Sequence, residues 1–158
     1  MTERSVVQVH GRPIVFLGFF RYASSLLHEL LALDPELAGR IAVVDFNPDV
    51  KKELDRRGIQ AIYGDISHAD TLHHANIHDA RVILSTIPDS VLKGTTNAQL
   101  IKIAEKLAPH ARTIVTAETF TGVRDLYAQG ASFVFSPRIM NARELARTVV
   151  AAVERDLE

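Results

Sequence analysis

Residues 13–23 read Pro-Ile-Val-Phe-Leu-Gly-Phe-Phe-Arg-Tyr-Ala and constrain the fold more than any other stretch. Ile14 to Leu17 is a short apolar run of the kind buried on both faces of a sheet. Gly18 turns the chain, and Ser24, Ser25, Leu26, Leu27, Leu30 and Leu31 continue it as a helix. A strand that passes through a glycine turn into a helix is how a dinucleotide-binding fold opens. The phosphate rests on the free amides at the start of that helix, where the dipole favours negative charge. In such folds the turn reads Gly-x-Gly-x-x-Gly. Here Gly18 keeps the first place, Phe20 takes the second and Ala23 the third. Alanine still allows close helix–strand packing, but phenylalanine fills the space through which a pyrophosphate approaches the backbone. The chain has the frame of a nucleotide site with a narrowed entrance.

The rest of the sequence repeats the alternation. Ile41 to Val44, ending in Asp45, reads as a second buried strand. Asn47-Pro48 leads into a helix over 49–57, stopped by Gly58, and Ile59 to Tyr63 is a third strand closed by Gly64-Asp65. A short helix over 66–75 follows, with Ser67 as its cap, then a fourth strand over 81–87 and a loop from Pro88 to Gly94. Asn97 to Leu107 is an amphipathic helix with Leu100, Ile103, Ala104 and Leu107 on one face. A fifth strand over 113–117, a helix over 121–129 and a sixth strand over 132–135 precede a last helix over about 138–157. Strands alternating with helices imply a parallel sheet covered on both faces. With right-handed crossovers, the expected fold is α/β: a doubly wound six-stranded parallel sheet in the order 3-2-1-4-5-6, plus a C-terminal helix. Residues 1–12 form a linker or edge segment, 13–137 the Rossmann-type domain, and 138–158 a helix that covers the sheet or pairs subunits.

Composition narrows the function. A chain of 158 residues is the size of one domain. Its net charge of −1 gives no general attraction to nucleic acid. The absence of cysteine excludes disulfides, thiolate metal sites and a cysteine nucleophile. His73 and His74 are adjacent and point about 100° apart on a helix, so they do not converge on one metal, and no metal site is expected. No serine lies in a Gly-x-Ser-x-Gly elbow. Tyr22, Tyr63 and Tyr127 have no lysine three or four residues on, so the Tyr–Lys proton donor of many nicotinamide oxidoreductases is missing.

Taken together, Val15 to Arg21, Val43 to Pro48, Tyr63-Gly64-Asp65-Ile66, the loop from Ser85 to Asn97 and Gly130 to Pro137 resemble a known family. This is the regulator-of-K⁺-conductance domain of TrkA-N type, in particular the cytosolic domain that follows the membrane part of Kef-type cation:proton antiporters. The resemblance covers roughly residues 13–137. It implies a non-catalytic module that binds AMP, ADP or NAD(H) and controls a potassium or cation transporter, antiporter or channel. The implied setting is the cytosolic face of a membrane, as part of a membrane protein or bound to one, and the implied partner besides the transporter is a second copy. Two departures from the family are Phe20 for a glycine and Thr116 where many members carry arginine. The alternatives are a Rossmann dimerisation module that has lost its ligand, and an NAD-dependent oxidoreductase.

The candidate ligand contacts are Gly18, Phe20, Arg21, Asp45, Phe46, Asp65, Ile66, Thr86, Asn97 and Glu118. Asp45 ends the second strand, farther from Gly18 than the usual ~20 residues, and the helix between absorbs the excess. A carboxylate there accepts the ribose hydroxyls and repels a 2′-phosphate; its other reading is a helix cap. Arg21 reaches a phosphate, blocks the turn together with Phe20, or is simply solvated. The resemblance places adenine contacts around Asp65 and Ile66, although Asp65 also suits a turn, and it sets Phe46 beside Asp45. Thr86 ends the fourth strand under the crevice. Asn97 opens a helix as ligand contact or cap, and Glu118 ends the fifth strand facing a ligand, a cap position or Arg138.

Overall fold

The computed structural model describes residues 12–156, so most of the expected N-terminal segment 1–12, and Leu157, lie outside the described residues. Six strands alternate with helices. The strands are β1 (Ile14–Leu17), β2 (Ile41–Asp45), β3 (Gln60–Tyr63), β4 (Val82–Leu84), β5 (Arg112–Thr116) and β6 (Phe133–Phe135). The helices are α1 (Arg21–Leu33), α2 (Pro48–Arg56), α3 (Ala69–His74), α4 (Asn97–Leu107), α5 (Phe120–Ala128) and α6 (Pro137–Asp156). All strands pair in parallel in the order β3-β2-β1-β4-β5-β6, the expected doubly wound sheet.

Side chains alternate across each strand, and the sheet uses both faces. Val15 and Leu17 of β1 join Ala42, Val44, Ile83, Leu100 and Ala104 on one side. Phe16 points the other way, with Val43, Leu54, Leu84, Ala23 and Leu27. A third cluster, Ile101, Val115, Leu126 and Val134, closes the sheet's far end. Each large side chain buried this way stabilises by about 1.5–3 kcal/mol relative to exposure. The strands that reach this core are therefore held in one register. Phe16 sits between Val43 and Leu84, and Asp45 lies opposite Tyr63. That register brings the turns after β1, β2 and β3 to one edge of the sheet.

Three local expectations change. The fourth strand is shorter than 81–87, because beyond Leu84 the chain stops pairing with β1, while Ser85 still bonds β5: its N–H donates to the Ile114 carbonyl (2.9 Å) and its carbonyl accepts from the Thr116 hydroxyl (2.8 Å). Ser67 does not cap the short helix: its N–H donates to Asp65 Oδ1 (2.9 Å) in a side-chain-stabilised turn, and α3 starts after His68. The last helix does not cover the sheet. From Met140 to Arg155 every residue of α6 is exposed. Leu145, Val149, Val150 and Val153 are each more than half exposed.

Candidate functional site

Asp45 is the residue on which the edge is built. Its Oδ2 accepts from Phe19 N–H (2.8 Å) and its Oδ1 from Asn47 N–H (2.7 Å). Its carbonyl accepts from Gly64 N–H (3.0 Å). One residue thus ties the ends of β1, β2 and β3 together, and each carboxylate oxygen keeps a further lone pair for a ligand. Gly18 donates to the Val44 carbonyl at 2.8 Å and holds φ +80°, which an L side chain seldom adopts. A Cβ there would stand 2.5 Å from Ile87 Cδ1, the movable end of that side chain, so it is the positive φ that makes the turn after β1 require glycine.

Helix α1 begins immediately after this turn. Its N-cap is Phe20, which offers no side-chain hydrogen bond, and its first turn has no acidic residue. Helices α2, α4 and α5 are capped by Asn47, Thr96 and Thr119. The first amides of α1 are left to be satisfied from outside the helix, which suits an anion. The Arg21 guanidinium lies over the Phe20 ring, 5.3 Å from its centroid, a cation–π contact.

Between these turns and the loop after β4 lies a cavity of about 380 Å³, within the range of small-molecule sites. Val44, Ile66, Ile87, Val91 and Leu92 give it an apolar interior, and Asp45, Asp65 and Lys93 supply charge. Hydrogen bonds from Ser67, and to a lesser degree the nearby His68, hold the Asp65 carboxyl below its ordinary pKa against a small burial effect. Asp65 is therefore an anion, and therefore an acceptor, at neutral pH.

Six of the candidate contacts line this cavity: Gly18, Phe20, Asp45, Phe46, Asp65 and Ile66. The other four are elsewhere. Arg21 stacks on Phe20. Thr86 and Glu118 line a separate cavity of about 200 Å³ with Tyr22, Arg138 and Asn141. Asn97 is wholly buried. Its Nδ2 donates to the Ile87 carbonyl (2.9 Å) and Asp89 Oδ1 (2.7 Å), and its Oδ1 accepts from Thr116 N–H (3.2 Å). Sequence reasoning did not single out Ile87, Val91, Leu92 or Lys93. The signal was there: an apolar pair, Val91-Leu92, inside a loop bounded by Pro88 and Gly94 has no reason to exist unless it covers something. Among the described residues no group of three or more His, Cys, Asp or Glu side chains is placed to hold a metal.

The profile of the TrkA-N domain matches residues 14–137, the whole of the sheet and its connections. The chain belongs to the TrkA-N domain family. Curated relatives of this TrkA-N domain include the glutathione-regulated potassium-efflux system protein KefC of Escherichia fergusonii, 29% identical over 66% of this chain. Another is the putative cation/proton antiporter YbaL of Escherichia coli K12, 26% identical over 89% of it. The chain spans only 16% and 23% of the lengths of those two proteins. Among solved structures, the TrkA-N domain of the inner membrane protein ybaL from Escherichia coli superposes with a TM-score of 0.67 at 24% identity, covering 89% of this chain and 96% of that one. The Kef CTD of Shewanella denitrificans in its AMP-bound form gives 0.66 at 18% identity, covering 89% and 80%. GsuK bound to ADP gives 0.64 at 21% identity, covering 85% and 35%. These likenesses establish a common fold for the TrkA-N domain. Among the described residues no helix is long and apolar enough to cross a membrane.

Proposed function

We propose that this TrkA-N domain senses an adenine nucleotide, AMP or ADP before NAD(H), and passes the bound state to a potassium or cation transporter, antiporter or channel at the cytosolic face of a membrane. The observation that carries the reading is the cavity at the ends of β1, β2 and β3, with Asp45 and Phe20, the N-cap residue that gives helix α1 no side-chain cap, on its wall. The spare lone pairs of Asp45 suit ribose hydroxyls, the apolar interior suits a flat base, and the α1 amides suit a phosphate. The names of related proteins support this: a Kef CTD was solved with AMP, and GsuK with ADP and with NAD. The role is binding and signalling rather than catalysis, and the working unit is a homodimer or larger assembly. Phe20 supports the mononucleotide over NAD, since it stands where a glycine would let a pyrophosphate pass.

A thermal-shift series with AMP, ADP, NAD and NADP tests the reading, each variant being compared with its own ligand-free melting temperature. At about 100 times Kd a ligand stabilises by about 2.7 kcal/mol, a shift of roughly 5–10 °C for a domain of this size. AMP and ADP are expected to shift the protein most and NADP least, because Asp45 repels a 2′-phosphate. Asp45→Asn should abolish most of the AMP shift. No shift with any nucleotide would sink the proposal and leave a ligand-free dimerisation module as the better reading.

A further inference from the structure

Lys93 is the one cationic residue lining the cavity at the ends of β1, β2 and β3, whose other charged residues are Asp45 and Asp65. Both carboxylates already accept backbone N–H bonds, Asp45 from Phe19 and Asn47, Asp65 from Ser67. Lys93 has no ion pair or hydrogen bond among the described residues. Lys93 is exposed, and the loop that carries it is held on both sides of it. Before it, the Val91 and Leu92 amides both donate to the Pro88 carbonyl (2.9 and 3.0 Å). Asp89 Oδ1 in turn accepts from the Asn97 amide N–H (2.7 Å). After it, Gly94 adopts φ +74°, and a Cβ there would stand 3.0 Å from Ser67 Cβ. The loop therefore passes close to the turn after β3, with Lys93 directly before that approach.

We infer that Lys93 is the charge-selecting residue of the site: together with the α1 amides it holds a terminal phosphate dianion, and so favours a nucleoside monophosphate or diphosphate over both the nucleoside and a dinucleotide. The inference rests on the nucleotide reading of the cavity. It follows from the balance of charge. A ligand that brought only a base and a ribose would leave Lys93 unpaired. A terminal phosphate carries about −1.5 to −2 at pH 7, with its second ionisation near pH 6, whereas each phosphorus of a dinucleotide's internal pyrophosphate carries a single charge. A point charge on a flexible stem suits a terminal phosphate, which offers several equivalent oxygens.

Calorimetric titration of adenosine, AMP and NAD into the wild type, Lys93→Ala and Lys93→Arg, at pH 7.5 and pH 5.5, tests it. Lys93→Ala should weaken AMP by about tenfold and leave adenosine unchanged. Lys93→Arg should restore most of the loss. Wild-type AMP affinity should fall between pH 7.5 and 5.5, as the dianion takes up a proton, and Lys93→Ala should flatten that fall. If AMP and adenosine weaken together, or AMP binds the alanine variant as tightly as the wild type, the charge-selecting role is overturned while the nucleotide reading stands. If neither adenosine nor AMP binds the wild type, both fail.

Discussion

Asp65 is lowered in pKa first by its hydrogen bonds with Ser67, and it is close to solvent. Because its folded pKa lies below the unfolded one, its contribution is fully present above the unfolded value of about 3.9 and is lost as pH falls through the folded value. Wild-type melting temperature should therefore decline below about pH 4 in part through this group, and Asp65→Asn should make that acid limb shallower. A carboxyl titration that returned an ordinary or raised pKa for Asp65 would contradict the assignment. At this scale the sequence was informative about which residues matter and silent about where their hydrogen bonds go. Asp45 was legible as a strand-ending carboxylate with two readings, ribose acceptor or cap. Its bond to Phe19, between residues of two different strand-ending turns, depends on the pairing of β1 with β2 and cannot be read from either turn alone.

The loop between β4 and α4 is the element whose course was least legible. Thr96 and Asn97 are adjacent and both are good N-caps. The structure gives the cap to Thr96, whose hydroxyl accepts from Gln99 N–H (3.2 Å), and turns Asn97 inward. Asn97 then joins three segments: the loop at Ile87 and Asp89, helix α4, and strand β5 at Thr116. Asn97→Ala would leave the Ile87 carbonyl and the Thr116 N–H without this partner in a buried setting, at about 1–3 kcal/mol per group. The expected loss is at least about 2 kcal/mol in urea unfolding, with AMP affinity falling too because the same bonds position Val91 to Lys93. A variant with unchanged stability would show that water or a neighbour replaces the amide. The two ends of this loop obey rules of short range, turn and cap. Its crest is placed by tertiary contacts such as Gly94 against Ser67, which no local pattern encodes.

The whole sheet was legible because alternating apolar strands and amphipathic helices admit few chain paths, and the observed order is the expected one. The destination of α6 was not, since an apolar stripe looks the same whether it faces its own sheet or another subunit. Its exposed apolar face predicts assembly, because helices in proteins draw most of their stability from packing such a face. Light scattering at micromolar concentration should give a dimer or larger species, and Leu145→Asp with Val149→Asp should return a 17.5 kDa monomer. A wild-type monomer at every concentration would refute this. The strand order also sets a timetable. β1 lies between β2 and β4, but β4 is made well after β2. At ~5–20 residues per second on the ribosome, β1 spends roughly 1–4 seconds as the open edge of a three-stranded half-sheet. Ile87, Val91 and Leu92 emerge later still. Any ligand of the cavity they complete would arrive too late to guide the first half of this fold and could only select the finished one.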